Sequence, residues 1–328
     1  MKLFDDLDEV EADAEGALDR AAQVSLFDRL SWYRLLAAHT QAEGKLIVAR
    51  AKHGRRRAWM FLDVEDHRAH SWTAWYSLRW RPIGEPDLFQ HILRALRDGL
   101  VPALDLAPLE YPEPLVQACR DAGFRPFLRP ATANWIADTE GQDFETYWSR
   151  RPAKLRNTAA RKARAAALDI TIHTDFSPVA WAAYESVYAA SWKPDEGAPA
   201  FLRALAEQEG AAGALRLGIA SKDGKPLAAQ FWLVENGEAT IHKLAYREDA
   251  KAYSPGTILS MHMFRHVLDK DRVHRIDYGT GDEAYKADWM DRKRTLHRLT
   301  AYNPRTLRGL AGTARAAASA LVARLRSR

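Results

Sequence analysis

Apolar and polar positions along this chain follow two periods, and stretches of one alternate with stretches of the other. Ser25 is placed to cap a helix running to His39, with Leu26, Leu30, Trp32, Tyr33, Leu35 and Leu36 on its apolar face. Three runs rich in β-branched and aromatic residues follow, at 45–53, 58–66 and 70–80, divided by polar turns; they are predicted as antiparallel strands. Pro86 and Asp87 then open a helix that ends at Gly99. A strand at 103–110, a helix at 111–124 stopped by Gly123, and a strand at 131–139 complete this half.

The second half repeats the plan. A basic helical stretch spans 143–167 and breaks near Pro152, ahead of a strand at 168–174 and helices at 178–192 and 200–210. Residues 214–249 hold three strands with turns at Asp223-Gly224 and Asn236-Gly237, dipeptides suited to tight hairpins. A helix from Pro255 to Asp269, a strand at 274–279, a short helix at 284–290 and a strand at 295–303 follow, and 305–328 reads as an Ala-rich basic helix. The fold class is α+β, a mixed and mainly antiparallel sheet flanked by helices, used twice. The repeat is one of architecture, without a residue-by-residue match. The implied division is an acidic arm at 1–20, a lobe at 21–140, a second lobe at 141–304 and the basic helix at 305–328.

Composition narrows the classes. With 328 residues, 47% of them hydrophobic and 28% charged, the chain is long enough to bury full cores without covalent staples. Cys119 is the only cysteine, which excludes an intramolecular disulfide and a multi-cysteine zinc site. No run approaches the roughly 18 apolar residues of a spanning helix, and the acidic start lacks the apolar stretch of a secretory signal. A cytoplasmic protein is expected.

The net charge of +5 matters less than its placement. Eight acids lie in the first twenty residues, whereas Arg305, Arg308, Arg315, Arg324, Arg326 and Arg328 stand among no acid. A third block, Arg150, Arg151, Lys154, Arg156, Arg161, Lys162 and Arg164, is also acid-free. Such polarisation favours an anionic ligand without naming it.

Several short motifs stand in order across 192–289: Trp192-Lys193, Gly224-Lys225-Pro226-Leu227-Ala228, Tyr253-Ser254-Pro255-Gly256, Asp277-Tyr278-Gly279-Thr280-Gly281 and Tyr285-Lys286. In that order and spacing the chain resembles the GNAT superfamily, and within it the bacterial CelD-like and FemAB-like acyltransferases. The resemblance covers 20–304 and implies two tandem GNAT-like lobes, of which the first, lacking Ser-Pro-Gly and Tyr-Lys, is non-catalytic. It implies acetyl-CoA or another acyl-coenzyme A as co-substrate, no metal, and direct acyl transfer to an amine or hydroxyl of a cell-envelope or polysaccharide precursor. The GNAT Arg/Gln-x-x-Gly-x-Gly/Ala pattern is absent, so an aminoacyl-tRNA donor, as in Fem-type transferases, stays open beside acyl-coenzyme A. So does a non-catalytic binding module.

For the cofactor, Lys251, Ser254, Gly256 and Thr257 stand where a strand feeds a helix, whose free N–H groups and positive dipole end suit a pyrophosphate. A helix N-terminus with Pro in its first turn is the plainer reading of the same residues. For chemistry, Asp277 or His242 is the candidate base, and Lys286, with Tyr285, the candidate oxyanion stabiliser. Against these stand an Asp277 that only caps its turn, a salt bridge between Asp277 and Lys286, and a His242 that is merely bonded within a half-buried sheet. Lys154, Arg156, Trp192, Lys193, Gln230 and Trp232 are candidates for the acceptor side. His262 and His266 have the i, i+4 spacing of a metal pair but no third ligand, which favours a solvated helix face. The partners implied are a small-molecule or glycan-precursor acceptor, or tRNA with the alternative donor, and no DNA, since no DNA-reading motif accompanies the charge. The leucines of the 305–328 helix suit either docking on the protein or peripheral contact with an anionic membrane.

Overall fold

In the computed structural model, which describes residues 1–41 and 44–326 and only the backbone of 323–326, the chain forms two compact units, 1–132 with 295–328, and 133–294. The sequence places the lobe limits at 140 and 304; the units change over inside the strands Arg125–Asp138 and Arg292–Tyr302. No helix among the described residues is long and apolar enough to cross a membrane.

The elements of the first unit are β1 (Lys2–Phe4), α1 (Leu7–Ala14), α2 (Leu30–His39), β2 (Lys45–His53), β3 (Arg56–Glu65), β4 (Arg68–Ser71), β5 (Ile83–Gly84), α3 (Pro86–Asp98), β6 (Ala103–Leu109), α4 (Glu113–Asp121) and the start of β7 (Arg125–Asp138). Its sheet runs β1-β2-β3-β4-β6 and ends on a late strand, β13 (Arg292–Tyr302), with β5 paired to β3. Only the β4–β6 pair is parallel. The core joins Leu88, Ile92, Leu93 and Cys119 of α3 and α4 to Met60, Leu62, Leu104 and Leu106 of the sheet. The acidic start belongs to this unit. β1 pairs with β2, α1 buries Val10 and Ala14, and its acids meet basic partners, Asp8 and Glu11 with Arg34 and Asp13 with Arg50.

Three expectations need correction here. The helix drawn from Ser25 begins as a 3-10 turn at Leu26–Asp28 and becomes α-helical only at Leu30, and Ser25 makes no side-chain cap. The strand drawn over 70–80 stops at Ser71. Beyond it Trp72, Tyr76 and Trp80 are buried from an irregular segment, Trp80 donating its indole N–H to the Phe61 carbonyl at 3.1 Å. Aromatic density marked burial there, not a strand.

The third concerns the last helix, α11 (Leu307–Arg326). A Cβ at Gly309 would strike the Asn303 carbonyl, and one at Gly312 the Tyr302 ring, so the glycines form the docked face. Leu307, Leu310, Leu321 and Val322 are exposed. The leucines therefore do not dock on the described residues. The side chains of Arg324, Leu325 and Arg326, and Arg328 itself, lie outside the described part.

The second unit contains the rest of β7, α5 (Phe144–Ser149), α6 (Ala153–Ala166), β8 (Asp169–His173), α7 (Pro178–Ala189), α8 (Pro199–Ala211), β9 (Leu215–Lys222), β10 (Lys225–Glu235), β11 (Glu238–Tyr246), α9 (Pro255–Asp269), β12 (Arg275–Thr280) and α10 (Lys286–Trp289). Its sheet runs β7-β12-β11-β10-β9-β8, again with one parallel pair, β11–β12. Both hairpin turns carry positive φ at each central residue, +50° and +76° at Asp223-Gly224 and +50° and +75° at Asn236-Gly237, which is what two-residue hairpins demand. Met263, Phe264 and Val267 of α9 pack with Trp232, Ile241 and Ile276. Trp181 of α7 meets Phe231, the neighbour of Trp232, on the opposite face. The α+β class and the doubled, mainly antiparallel layout are as the sequence implied.

Candidate active site

In the second unit the strands β11 and β12 share hydrogen-bonded register over only three pairs, Glu238–Thr240 with Arg275–Asp277. Both continue, β11 to Tyr246 and β12 to Thr280. Beyond Thr240 and Asp277 no register pair joins the two strands, which leaves a gap in the ladder. A bulge lies at the same point. Phe231 of β10 is opposite Lys243 and Trp232 is opposite Ile241, so His242 is an extra residue with no register partner.

The bulge breaks the strand alternation that would put His242 on one face with Leu244 and Tyr246. Leu244 lies opposite Gln230, which bonds Ser260 of α9, whereas His242 packs edge-on against Phe231, on the α7 side. The imidazole is buried, and neither ring nitrogen has a hydrogen-bond partner among the described residues. Burial, with Lys243 beside it, pushes its pKa down to about 3. Such a ring stays neutral and accepts a proton poorly.

At the end of β11 the chain passes through a 3-10 turn, Glu248–Tyr253, into α9. Ser254 takes the left-handed conformation at φ 54°, Pro255 fills the first helical position, and the N–H groups of Gly256 and Thr257 have no intrahelical acceptor. A Cβ on Gly256 would stand 3.1 Å from the Tyr246 ring, so the glycine lets the helix start sit close against β11. Lys251 is exposed on the turn. From the basic helix α6, Lys162 donates to the Ala252 carbonyl at 2.6 Å and ties the turn down.

Gln230 and Trp232 lie beneath this helix start and are fully buried. The Trp232 indole donates to Gln230 Oε1 at 2.9 Å, and Gln230 Nε2 donates to Ser260 Oγ at 2.8 Å and to the Gly256 carbonyl at 3.3 Å. They cannot line an acceptor pocket as the sequence suggested; they hold the first turn of α9 from below.

Asp277 is also committed. Its carboxylate accepts from Asn134 Nδ2 at 2.6 Å, from the Gly279 amide at 2.8 Å and from Arg294 at 3.0 Å. Asn134 donates as well to the Gly279 carbonyl at 2.9 Å and accepts from Arg294 Nε. A carboxylate held by a cation and two N–H donors is a firm clamp on the Gly279–Gly281 turn. Lys286 is not its partner. Lys286 Nζ, also buried, bonds the Thr280 carbonyl at 2.7 Å and Glu283 at 2.9 Å, leaving one N–H of its ammonium uncommitted. Tyr285 is partly exposed and meets Tyr278 edge-on at 5.9 Å. Burial pushes the Tyr285 hydroxyl up to about 12, so it keeps its proton at neutral pH.

Trp192 and Lys193, in the loop after α7, come to the same region. Trp192 packs on Tyr246 with ring centres 4.3 Å apart, and the Lys193 ammonium stands 6.0 Å from the rings of both Trp192 and Tyr188. Burial, then the neighbouring Lys243, holds the Lys193 pKa down at about 8, while Glu196 and Glu283 pull the other way and Lys286 adds to the lowering. The remaining basic candidates separate: Lys154 is exposed, and Arg156 turns back to the Arg151 carbonyl at 3.1 Å. Arg151, read only as part of a charge block, is a buried brace that donates to the Trp289 carbonyl at 2.9 Å and lies over the Tyr147 ring. His262 and His266 are both pushed down by burial, and His266 lies 3.8 Å from Asp271.

Sequence reasoning missed Asn134, Arg294, Lys243, Glu196 and Glu283. Glu283 was findable, since it precedes Lys286 by three residues at the start of a short helix. Asn134 and Arg294 gave no local sign, because their partner is distant in the chain.

The acetyltransferase (GNAT) domain family matches residues 149–287. No curated protein matches the chain. Among solved structures, the chain is similar to the C-terminal domain of a chain described as a lysylphosphatidylglycerol synthetase from Agrobacterium fabrum, at 18% identity and a TM-score of 0.59, over 93% of this chain and 95% of that one. It is similar to L-PGS from Bacillus licheniformis at 14% identity and a TM-score of 0.55, over 89% and 94%, and to FemX at 8% identity and a TM-score of 0.61, over 91% and 97%. At these identities the likeness is one of fold.

Proposed function

We propose, from the match of residues 149–287 to the acetyltransferase (GNAT) domain family, that the chain moves an acyl group from acyl-coenzyme A directly to an amine or hydroxyl of a cell-envelope or polysaccharide precursor. The gap between β11 and β12, followed at once by the open first turn of α9, is the observation that supports this reading most. The edge of β11 beyond Thr240 offers backbone groups to a pantetheine-like chain, and the free N–H groups of Gly256 and Thr257 offer a phosphate site, with Lys251 near in sequence. The fold likeness to a chain described as a lysylphosphatidylglycerol synthetase supports the acceptor class.

Within this reading the acceptor attacks the thioester carbonyl, a tetrahedral oxyanion forms, and the carbon–sulfur bond breaks. The uncommitted N–H of Lys286 is offered to the oxyanion, and Tyr285, protonated at neutral pH, gives its proton to the departing thiolate and takes up in exchange the proton that the attacking amine or hydroxyl loses. Asp277 shapes the loop that presents both groups.

Calorimetric titration with coenzyme A and acetyl-coenzyme A, on the wild type and on Gly256→Asp, tests the donor. Micromolar binding lost in the variant supports the reading. No binding to folded wild type overturns it, and charged tRNA becomes the next donor to try, with the exposed Lys154, Arg161 and Arg164 of α6 as its natural contact.

A further inference from the structure

Five ionisable side chains from three separate segments gather near one another: Lys193 and Glu196 from the loop after α7, Lys243 from β11, and Glu283 and Lys286 from the turn after β12 and the start of α10. Two of the lysines are matched, Lys243 with Glu196 at 3.0 Å and Lys286 with Glu283 at 2.9 Å. Lys193 is not matched; among the described residues no carboxylate lies within ion-pair distance of its ammonium, although both glutamates and both other lysines act on it. Tyr188 and Trp192 wall it on the apolar side, and Tyr188 also feels Glu196 and Asp195. Glu196 and Glu283 are thus each taken by another lysine in this half-buried place, and Lys193 has no direct carboxylate partner among the described residues.

An ammonium without such a partner in a partly desolvated place costs free energy unless an anion completes it. We propose that the acceptor substrate carries a carboxylate or phosphate and that Lys193 binds this group, which makes Lys193 a specificity-determining residue. The proposal rests on the acyltransferase reading in calling the ligand the acceptor. The aromatic neighbours fit the role: a cation over Trp192 and Tyr188 keeps its position without a carboxylate partner and still has donors to offer. Lys243 and Lys286 add a positive field while their own hydrogen bonds stay with Glu196 and Glu283.

The test uses the full chain and the reactivity of Lys193, which carries a fraction of free amine at mildly alkaline pH. Reductive methylation at constant ionic strength, read by peptide mass spectrometry, is followed with glucose, glucuronate or glucose 6-phosphate present. These share a ring and differ in charge, and the two anions separate a carboxylate site from a phosphate site. At saturating anion, labelling of Lys193 is expected to slow about tenfold, the effect of a charge-assisted contact, while glucose leaves it unchanged. Equal slowing by all three sugars, or none by either anion, overturns the proposal. Slowing by succinyl-coenzyme A but by neither anionic sugar assigns the anion to the donor's acyl group and overturns the acceptor assignment. In a parallel titration Lys193→Gln is expected to bind coenzyme A as the wild type does. If wild type fails to bind coenzyme A, the acyltransferase reading falls, and the sugar labelling still decides the anion site.

Discussion

Asn134 and Asp277 are 143 residues apart in sequence and share a hydrogen bond of 2.6 Å between neighbouring strands β7 and β12. Arg294 closes the group by bonding both side chains, so the turn that leads to Tyr285 and Lys286 is pinned by a buried ion pair and an amide. Removing one member strands the others.

Arg294→Met therefore leaves the Asp277 carboxylate buried without its cation, and the second unit is expected to lose about 3–5 kcal/mol. The Asp277→Asn, Arg294→Met pair removes both charges and recovers most of it. Urea unfolding of the singles and the double in one cycle measures the coupling. Equal loss in all three variants refutes the clamp.

His242 carries a pH dependence of known sign. Its pKa is about 3 in the fold and 6.5 ordinarily, so below pH 6.5 the unfolded chain takes up a proton that the native ring refuses. The stability is fully present above pH 6.5 and falls as pH drops toward 3, by up to about 1.4 kcal/mol per pH unit from this residue. His242→Leu is expected to flatten that part of the stability curve against the wild type. Identical slopes mean that the ring titrates normally.

The orientation of α11 predicts unequal effects along one helix. Gly312→Val puts a side chain into the Tyr302 ring and is expected to free the helix for limited proteolysis. Leu307→Ser, on the exposed face, is expected to change stability by less than about 0.5 kcal/mol. The reverse order implies that the leucines form the docked face.

Cys119 is fully buried in α4, and burial raises its pKa to about 12. A thiol reagent is expected to leave it untouched in the native chain at pH 8 and to modify it at the rate at which the first unit unfolds. Rapid labelling without denaturant refutes that packing.

The elements were largely legible along the chain because their causes are local. Two glycine-containing dipeptides impose the hairpins of β9, β10 and β11, Pro86 and Pro255 begin helices that end near Asp98 and Asp269, and Pro152 separates α5 from α6. The order of strands and helices in the two halves followed largely from such signals, whereas the motifs at 253–256 and 277–286 stood out through their resemblance to a known family. Local pattern failed where long-range packing decided the outcome. A single extra residue in β11 reverses the face of His242, and burial under α9 turns Gln230 and Trp232 from pocket candidates into braces. Glycines rather than leucines dock α11 because close approach to Asn303 and Tyr302 leaves no room for a Cβ. Alternation and composition belonged to the sequence, while the partners of Asp277, Lys286 and Lys193 belonged to the tertiary structure, since ionic and hydrogen-bond partners are fixed by distance in space and carry no mark in the spacing of residues.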